Sequence, residues 1–478
     1  MDSRNDILPF LPLILRSDAF LWLSAVEEAL MLLSKGPIHS NVNSGKLFPV
    51  AIADLRNSLR FPSLHLPPHS ASPPSSTMYA LSMPFLSFFK LEFQFVVPQL
   101  ADLLLRLPTL LETHYQNAGI FNGMETGLRL LESQQSGIVF LSQELIAALL
   151  LFFCLFPTTN RGAKRLPDIN FDNLFVPSSI VYPEADIWSK SAVSLCQLKV
   201  HTSGLLEDHS TEALEVDFAD KSIGGGALKK GCVQEEIYFM INPELIVSML
   251  FLPTMAVNEA TEIVGTERYS NYSGYASSFR FSGNIVDKKS IDEMGRRITR
   301  IIAIDALSRP GKKQYTLEYL LRETNKAFCG FFDQNKIQQY QTLFNEYQFL
   351  GSEPESNILS KEYVECDGEI GVVTGNWGCG VFWGDPQVKT IIQWLAASQA
   401  LRPFVLYCTF NLEGLQKLKR VVQWILSRNW TVGELWNVLV EYSTKRLKGE
   451  TKLGLFNWLI PSLYNDDDLT TLDIPRET

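Results

Sequence analysis

The sequence predicts an α/β chain, with strands and helices following one another in mixed order, preceded by an all-helical region. Three observations carry this. Up to about residue 190, apolar residues recur at helical spacing, as at Phe20, Leu23, Val26 and Leu30. Beyond it, short apolar or alternating runs are separated by helical stretches. Two glycine-rich loops, Gly224-Gly225-Gly226 and Thr374 to Gly380, each follow a strand candidate.

The first 190 residues are read as packed helices over 1 to about 60 (ending on Val50 to Leu59), Phe85 to His114 and Gln143 to Phe156. Residues 62–77 form a Pro/Ser-rich stretch that cannot hold a helix and is read as a mobile loop. Thr158 to Arg165 is a polar break. Strand candidates after residue 190 are Leu214 to Phe218, Glu262 to Thr266, Ile298 to Asp305, Ile370 to Thr374 and Phe404 to Phe410. The first alternates, placing Asp217 on the face opposite Leu214, Val216 and Phe218. Asp385-Pro386 is an expected N-cap and first turn, and the Thr431 to Glu434 spacing fits a capping box. The expected domains are 1–190 and 191–465, with an acidic tail over 466–478.

At 478 residues the chain is long enough for two or three domains. Its net charge of −10 offers no chain-wide attraction to nucleic acid or to an anionic membrane, so an anionic ligand must be held locally by backbone N–H groups, helix N-termini and a few lysines. Seven scattered cysteines, with no C-x-x-C pair, read as free thiols in a reducing compartment. The first six residues lack the basic region of a signal peptide, and the longest apolar run, Leu145 to Phe156, is too short to span a bilayer. All six histidines precede residue 210, so a site in the second half cannot use a histidine-activated nucleophile or a histidine-ligated metal from that half. Carboxylates are left for the proton chemistry.

The densest constellation runs from Asp217 to Glu236. Three consecutive glycines let a backbone approach a ligand closely. Gln234-Glu235-Glu236 follows at the edge of the apolar run Ile237 to Phe251, where a hydrolase would place an acid and an orienting partner. Taken as an isolated dipeptide, Glu235 and Glu236 are better read as a solvated first helical turn that complements the helix dipole. Asn376, Trp377, Gly378, Cys379 and Gly380 lie between a strand and a helix start, the arrangement of a phosphate cradle; a tight turn around a packed Trp377 explains them as well. Of the aromatics Tyr269, Tyr272, Tyr275 and Phe279, most read as packing, and Tyr275, directly after Gly274, is the best candidate to meet a ligand.

Together these words resemble the poly(ADP-ribose) glycohydrolase family, whose signature is a glycine triplet followed after six to eight residues by Gln-Glu-Glu. Val216-Asp217-Phe218-Ala219, Ile241 to Leu245, Gly265-Thr266-Glu267, Tyr272-x-Gly274-Tyr275, Ile304-Asp305-Ala306 and Thr374 to Gly380 are also similar to the family's, over roughly residues 190 to 440. The resemblance implies a macrodomain, a mixed sheet sandwiched by helices, with a helical accessory domain, and hydrolysis of ribose–ribose O-glycosidic bonds in poly(ADP-ribose). It implies Glu236 as acid/base, Glu235 and Asp217 on ribose hydroxyls, and Gln234 and Gly224 to Gly226 lining the same cleft. It also implies Asn376 to Gly380 on the diphosphate, Tyr275 closing over the ligand, Phe410 near the nucleoside and Glu207 at the adenine edge. No metal or cofactor is implied. Expected partners are poly(ADP-ribose) chains on modified proteins and the ADP-ribose product, with no direct DNA binding, no membrane and a monomeric state. A place in the DNA damage response, in nucleus and cytoplasm, is implied too.

The chemistry agrees with the residues: breaking an acetal through an oxocarbenium-like state needs a protonated carboxylic acid near neutral pH, which burial beside a second carboxylate favours. Asp220 departs from the pattern, standing where many members have Asn; a carboxylate cannot donate as the amide would. The alternative function is a catalytically silent ADP-ribose-binding module using the same cleft.

Overall fold

The computed structural model describes residues 13–16, 19–43, 47, 50–52, 93–117, 141–155, 173–175, 183–209, 213–293, 295–336, 338–340 and 370–461. The stretches 62–77, 158–165 and 466–478, and most of the helix expected over Val50 to Leu59, lie outside these residues. The chain forms two compact units that interleave along the sequence. One is drawn from Met1–Asn173, Ser222–Thr254 and Glu267–Asp287, the other from Leu174–Lys221, Met255–Thr266 and Lys288–Thr478.

In the first unit, helices Ser24–Ser34, Phe93–Leu105, Leu107–Asn117 and Gln143–Leu155 share a core that includes Val26, Leu30, Leu104, Leu111, Leu149 and Phe152. The helical reading fails at its first anchor. Phe20 lies in an antiparallel hairpin of Leu13–Arg16 with Ala19–Trp22, where it faces Leu15. Phe20 and Trp22, two residues apart, are buried while Leu21 is exposed, the period of a strand. The Trp22 indole N–H donates to the Leu104 carbonyl at 3.1 Å and locks the hairpin onto the helices. Val247, from the helix Leu245–Phe251, completes the same core. The Gln143 amide reaches Glu244 and the Tyr269 hydroxyl, each at 2.9 Å, tying that helix and the hairpin Ser270–Ser273/Arg280–Asn284 to the helical bundle.

The second unit is built on a seven-stranded mixed sheet. Its strands in chain order are β1 (Asn173–Phe175), β2 (Gln197–His201), β3 (Ala213–Asp217), β4 (Glu259–Gly265), β5 (Arg297–Ala303), β6 (Gly371–Thr374) and β7 (Phe404–Cys408). Across the sheet the order is β1-β4-β5-β3-β6-β7-β2. From β5 to β2 neighbouring strands are parallel, and β4 runs antiparallel to β5. The alternation expected of β3 does not leave one face wet: all five residues are buried, as in parallel strands covered on both faces. Glu215 is accommodated there by Lys289 at 2.6 Å. β3 to β7 fall on the five strand candidates, while β1, β2 and both hairpins were not foreseen.

The helix Pro386–Gln399, almost wholly buried, starts as its sequence predicts. The Asp385 carboxylate accepts from the Gln387 and Val388 N–H groups at 2.9 and 3.3 Å, and Pro386 occupies the first turn. The other carboxylate oxygen accepts from the Tyr315 hydroxyl at 2.8 Å. Thr431 and Glu434 form the expected capping box on Val432–Lys448. Loss of the first cap is measurable: Asp385→Ala should cost about 1–2 kcal/mol in denaturant unfolding, and Asp385→Asn should recover most of it.

Candidate active site

The helix Gln234–Ile241 begins with two carboxylates that the isolated dipeptide would leave in water; Glu235 and Glu236 are instead 3% and 6% exposed. The glycine triplet supplies what solvent would. Glu235 Oε1 accepts from the Gly224 N–H at 2.5 Å, and Glu236 accepts from Gly226 at 2.8 Å and from Val233 at 2.9 Å. The last bond is the N3 half of a capping box, which Val233 cannot reciprocate. Gly224 and Gly225 have φ of 84° and 45°. A Cβ on Gly225 would stand 2.6 Å from Glu235 Oε2 and 2.9 Å from Glu236 Oε1, so the triplet wraps the two carboxylates with no room for a side chain. Gly231, which the sequence reading passed over, is equally constrained: a Cβ there would fall on the Glu236 carboxyl group.

Tyr275 belongs to this unit and stands 52% exposed. Its N–H donates to Ser278 Oγ at 2.9 Å, holding a tight turn whose preceding Gly274 has φ of 75° and no space for a Cβ. The phenol reaches the main chain of Gln234; burial raises its pKa, with the charges of Glu236 and Cys232 adding to the rise. Cys232 is half-buried, and its thiol is pushed up by burial and then by Glu236. Tyr272 is the packing residue that spacing suggested, its ring 5.5 Å from that of Phe279.

The remaining predicted residues belong to the second unit, at the carboxyl ends of parallel strands, where ligands of open α/β sheets bind. Asp217 ends β3, is buried, and is followed by half-buried Asp220. Glu207 sits in the short turn Leu206–Asp208 after β2, and Phe410 follows β7. These two ends are joined by Thr409 and Asn411 N–H bonds to the His201 and Thr202 carbonyls at 2.8 and 3.1 Å. Between them lies Cys408, its thiol pushed up to about 12 by burial and then by Glu207 and Asp208. Phe410, 43% exposed with φ of 51°, lies over Gly375.

The loop after β6 contributes main chain, not side chains. The Asn376 amide donates to the Thr409 carbonyl at 3.0 Å, and Trp377 is fully buried with its indole N–H on the Ile304 carbonyl at 2.9 Å. Trp377 and Cys379 donate their N–H groups to Gly375 and Asn376 within the turn, leaving those of Gly378 and Gly380 without an acceptor among the described residues. Burial raises the Cys379 thiol, so it is a neutral filler. The two glycines differ: Gly378, at φ of 71°, packs on Ala306 and has no room for a Cβ, whereas a Cβ on Gly380 would meet nothing within 4 Å.

Beneath this loop lies a charge cluster with no sequence signal. Lys389, in the helix Pro386–Gln399, pairs with Glu323 and stands 3.7 Å from the Trp377 ring centroid. Arg322 holds Asp305 at 2.6 Å and Glu323 at 2.5 Å, and Lys326 holds Asp305 at 2.6 Å. Burial pushes the Lys389 ammonium well below the usual lysine range, Arg322 adding and Asp305 opposing. Arg322, Lys326 and Lys389 thus share two carboxylates, Asp305 and Glu323, under the turn. Among the described residues, no group of three or more His, Cys, Asp or Glu is placed to hold a metal ion, and no helix is long and apolar enough to cross a membrane.

A mixed sheet with a glycine turn at the carboxyl end of its parallel strands, covered by helices, defines a macrodomain-type α/β fold, and the chain carries a helical domain as well. Residues 185–417 match the family described as poly(ADP-ribose) glycohydrolase, macro domain fold, and residues 90–185 match its helical domain. Poly(ADP-ribose) glycohydrolase 1 of Arabidopsis thaliana is 49% identical over 541 residues, covering 97% of this chain and 97% of that one. The probable poly(ADP-ribose) glycohydrolase 2 of the same plant is 43% identical over 530 residues, covering 97% of this chain and all of the other. A solved poly(ADP-ribose) glycohydrolase of Deinococcus radiodurans in complex with ADP-ribose is 14% identical, covering 52% of this chain and 90% of that one at a TM-score of 0.25. The chain belongs to the poly(ADP-ribose) glycohydrolase family.

The contrast between the two glycines is testable. Gly378→Ala should lower the melting temperature, since a left-handed alanine costs about 1–2 kcal/mol before any clash. Gly380→Ala should leave the melt unchanged and weaken ADP-ribose binding in calorimetry.

Proposed function

We propose that this chain hydrolyses the ribose–ribose O-glycosidic bonds of poly(ADP-ribose), releasing ADP-ribose, with Glu236 as the acid/base. The observation that carries the reading is the burial of Glu235 and Glu236 against the N–H groups of the glycine triplet, beside Tyr275. A carboxyl group held by two fixed N–H donors, as Glu236 is by Gly226 and Val233, needs little reorganisation to act, which is what a positioned acid requires. Glu236, protonated, gives its proton to the leaving ribose oxygen as the glycosidic C–O bond breaks. The resulting carboxylate then takes a proton from the water that adds to the oxocarbenium carbon, which restores the acid.

Glu235 and Asp217 hold ribose hydroxyls in this reading, and Gln234 and Gly224 to Gly226 line the cleft. The diphosphate is taken by main-chain N–H groups of the Asn376 to Gly380 turn, with the buried pair of Lys389 and Glu323 beneath it. Tyr275 covers the ligand, Phe410 meets the nucleoside and Glu207 the adenine edge. Asp220 replaces an amide donor by a carboxylate near an anionic substrate and lowers affinity relative to Asn. The substrate is poly(ADP-ribose) on modified proteins, in the DNA damage response of nucleus and cytoplasm; the acidic chain makes no direct contact with DNA and acts as a monomer.

Release of free ADP-ribose from purified polymer tests this. Glu236→Gln should abolish release, a loss of at least about a hundredfold, while ADP-ribose still binds; retained turnover would remove Glu236 as the acid. Because glutamine keeps only one acceptor for the Gly226 and Val233 N–H groups, a melting curve should accompany the assay. Tyr275→Ala should weaken ADP-ribose binding by about tenfold with an unchanged melt, a loss of one stacked ring.

A further inference from the structure

Just beyond the Asn376 to Gly380 turn the chain makes a second turn, closed by the Trp383 N–H on the Gly380 carbonyl at 3.0 Å. Phe382 packs into the core, while Trp383 is directed outward and is 71% exposed. Its φ is 59°, a left-handed conformation that a bulky side chain rarely takes. Arg309 repeats the oddity: it is exposed, has φ of 47°, and its guanidinium carbon stands 5.5 Å from the Trp383 ring centroid. The Arg309 N–H donates to the Phe382 carbonyl at 2.8 Å, and the Asp385 N–H donates to the Gln314 side chain at 2.6 Å, so the two strained turns are fastened to each other.

Glycine would occupy both positions without strain. Two side chains kept where each strains the backbone point to a use outside the fold. What they present is an indole face bordered by a guanidinium, with Lys312 and Lys313 exposed on the following turn Gly311–Tyr315. In a chain of net charge −10 this is a local concentration of positive charge around an aromatic face. That chemistry suits a base that stacks and a phosphate that pairs. The β-turn closure sets the Trp383 Cα within about 7 Å of that of Gly380, one of the N–H donors assigned above to a diphosphate.

We propose that Trp383 and Arg309 form a second nucleotide subsite, which takes the adenine and a phosphate of an ADP-ribose unit adjoining the one held by the Asn376 to Gly380 turn. The subsite rests on the polymer reading above and extends it: the chain grips its substrate beyond the unit being released, so affinity rises with polymer length.

The test measures affinity for monomeric ADP-ribose and for poly(ADP-ribose) chains of defined length, in the Glu236→Gln background so that chains stay intact. Trp383→Gly suits the backbone at that position and should fold at least as well. It should weaken binding of long chains by about 5- to 100-fold, the range for one stacked base, and leave ADP-ribose affinity unchanged. Trp383→Phe should retain most of the chain affinity, and Arg309→Gly should reduce its dependence on salt. Equal chain affinity in Trp383→Gly and its parent would overturn the subsite, as would an equal loss for monomer and chain. A wild-type enzyme that released no ADP-ribose would instead defeat the hydrolase reading, and the comparison of chain affinities would still decide the subsite.

Discussion

Two adjacent carboxylates inside a protein need fixed donors, and this structure's answer is three consecutive glycines. The N–H groups of Gly224 and Gly226 do for Glu235 and Glu236 what water does at an exposed helix start. The geometry leaves little freedom: Gly225 fits between the two carboxyl groups, Gly231 lies against the second, and Val233 donates to it from below. The glycine triplet and the acidic pair are one device, each making the other tolerable, and the eight residues between them in sequence are the length of chain that brings them together.

A similar economy runs through the turn after β6. Its polar side chains face inward, Asn376 to the Thr409 carbonyl and Trp377 to the Ile304 carbonyl, so the outer surface is backbone. Below it a buried lysine, Lys389, is paired with a carboxylate from another helix, Glu323. Such a group is costly to bury alone and tolerable in a network, since removing one member of a buried pair strands the other.

Much of this was legible in the sequence because the relevant signals are local. Asp385-Pro386 and Thr431 with Glu434 carry their own capping chemistry, and β3 to β7 carry short apolar or alternating runs. The site words were legible for the same reason: Gly224 to Gly226 and Gln234 to Glu236 are contiguous. What escaped depends on distant partners. Phe20 has helical spacing to Leu23 and Val26, yet its conformation is that of a strand paired with Leu13–Arg16, in register with Leu15. The strands Ser270–Ser273 and Arg280–Asn284 have no apolar face to reveal them. Lys389 reads as a solvated helix position until Glu323 is placed beside it, and nothing near Gly231 signals that Glu236 lies over it. Trp383 looks ordinary in sequence, and its left-handed backbone is visible only in three dimensions.

The interleaving of the two units bears on how the chain is made. The helical core that begins at Phe20 is completed by Val247, and its unit extends to Asp287. On the ribosome the N-terminal helices therefore emerge long before their last partner does, while segments of the sheet unit are synthesised in between. Closure of either unit is a long-range event, slow by the measure of contact separation. The same arrangement means that a fragment starting near residue 190 would carry the glycine triplet and both glutamates without the helices around Val247. The N-terminal region is less an appendage than the core, laid first, on which the helix Leu245–Phe251 later closes.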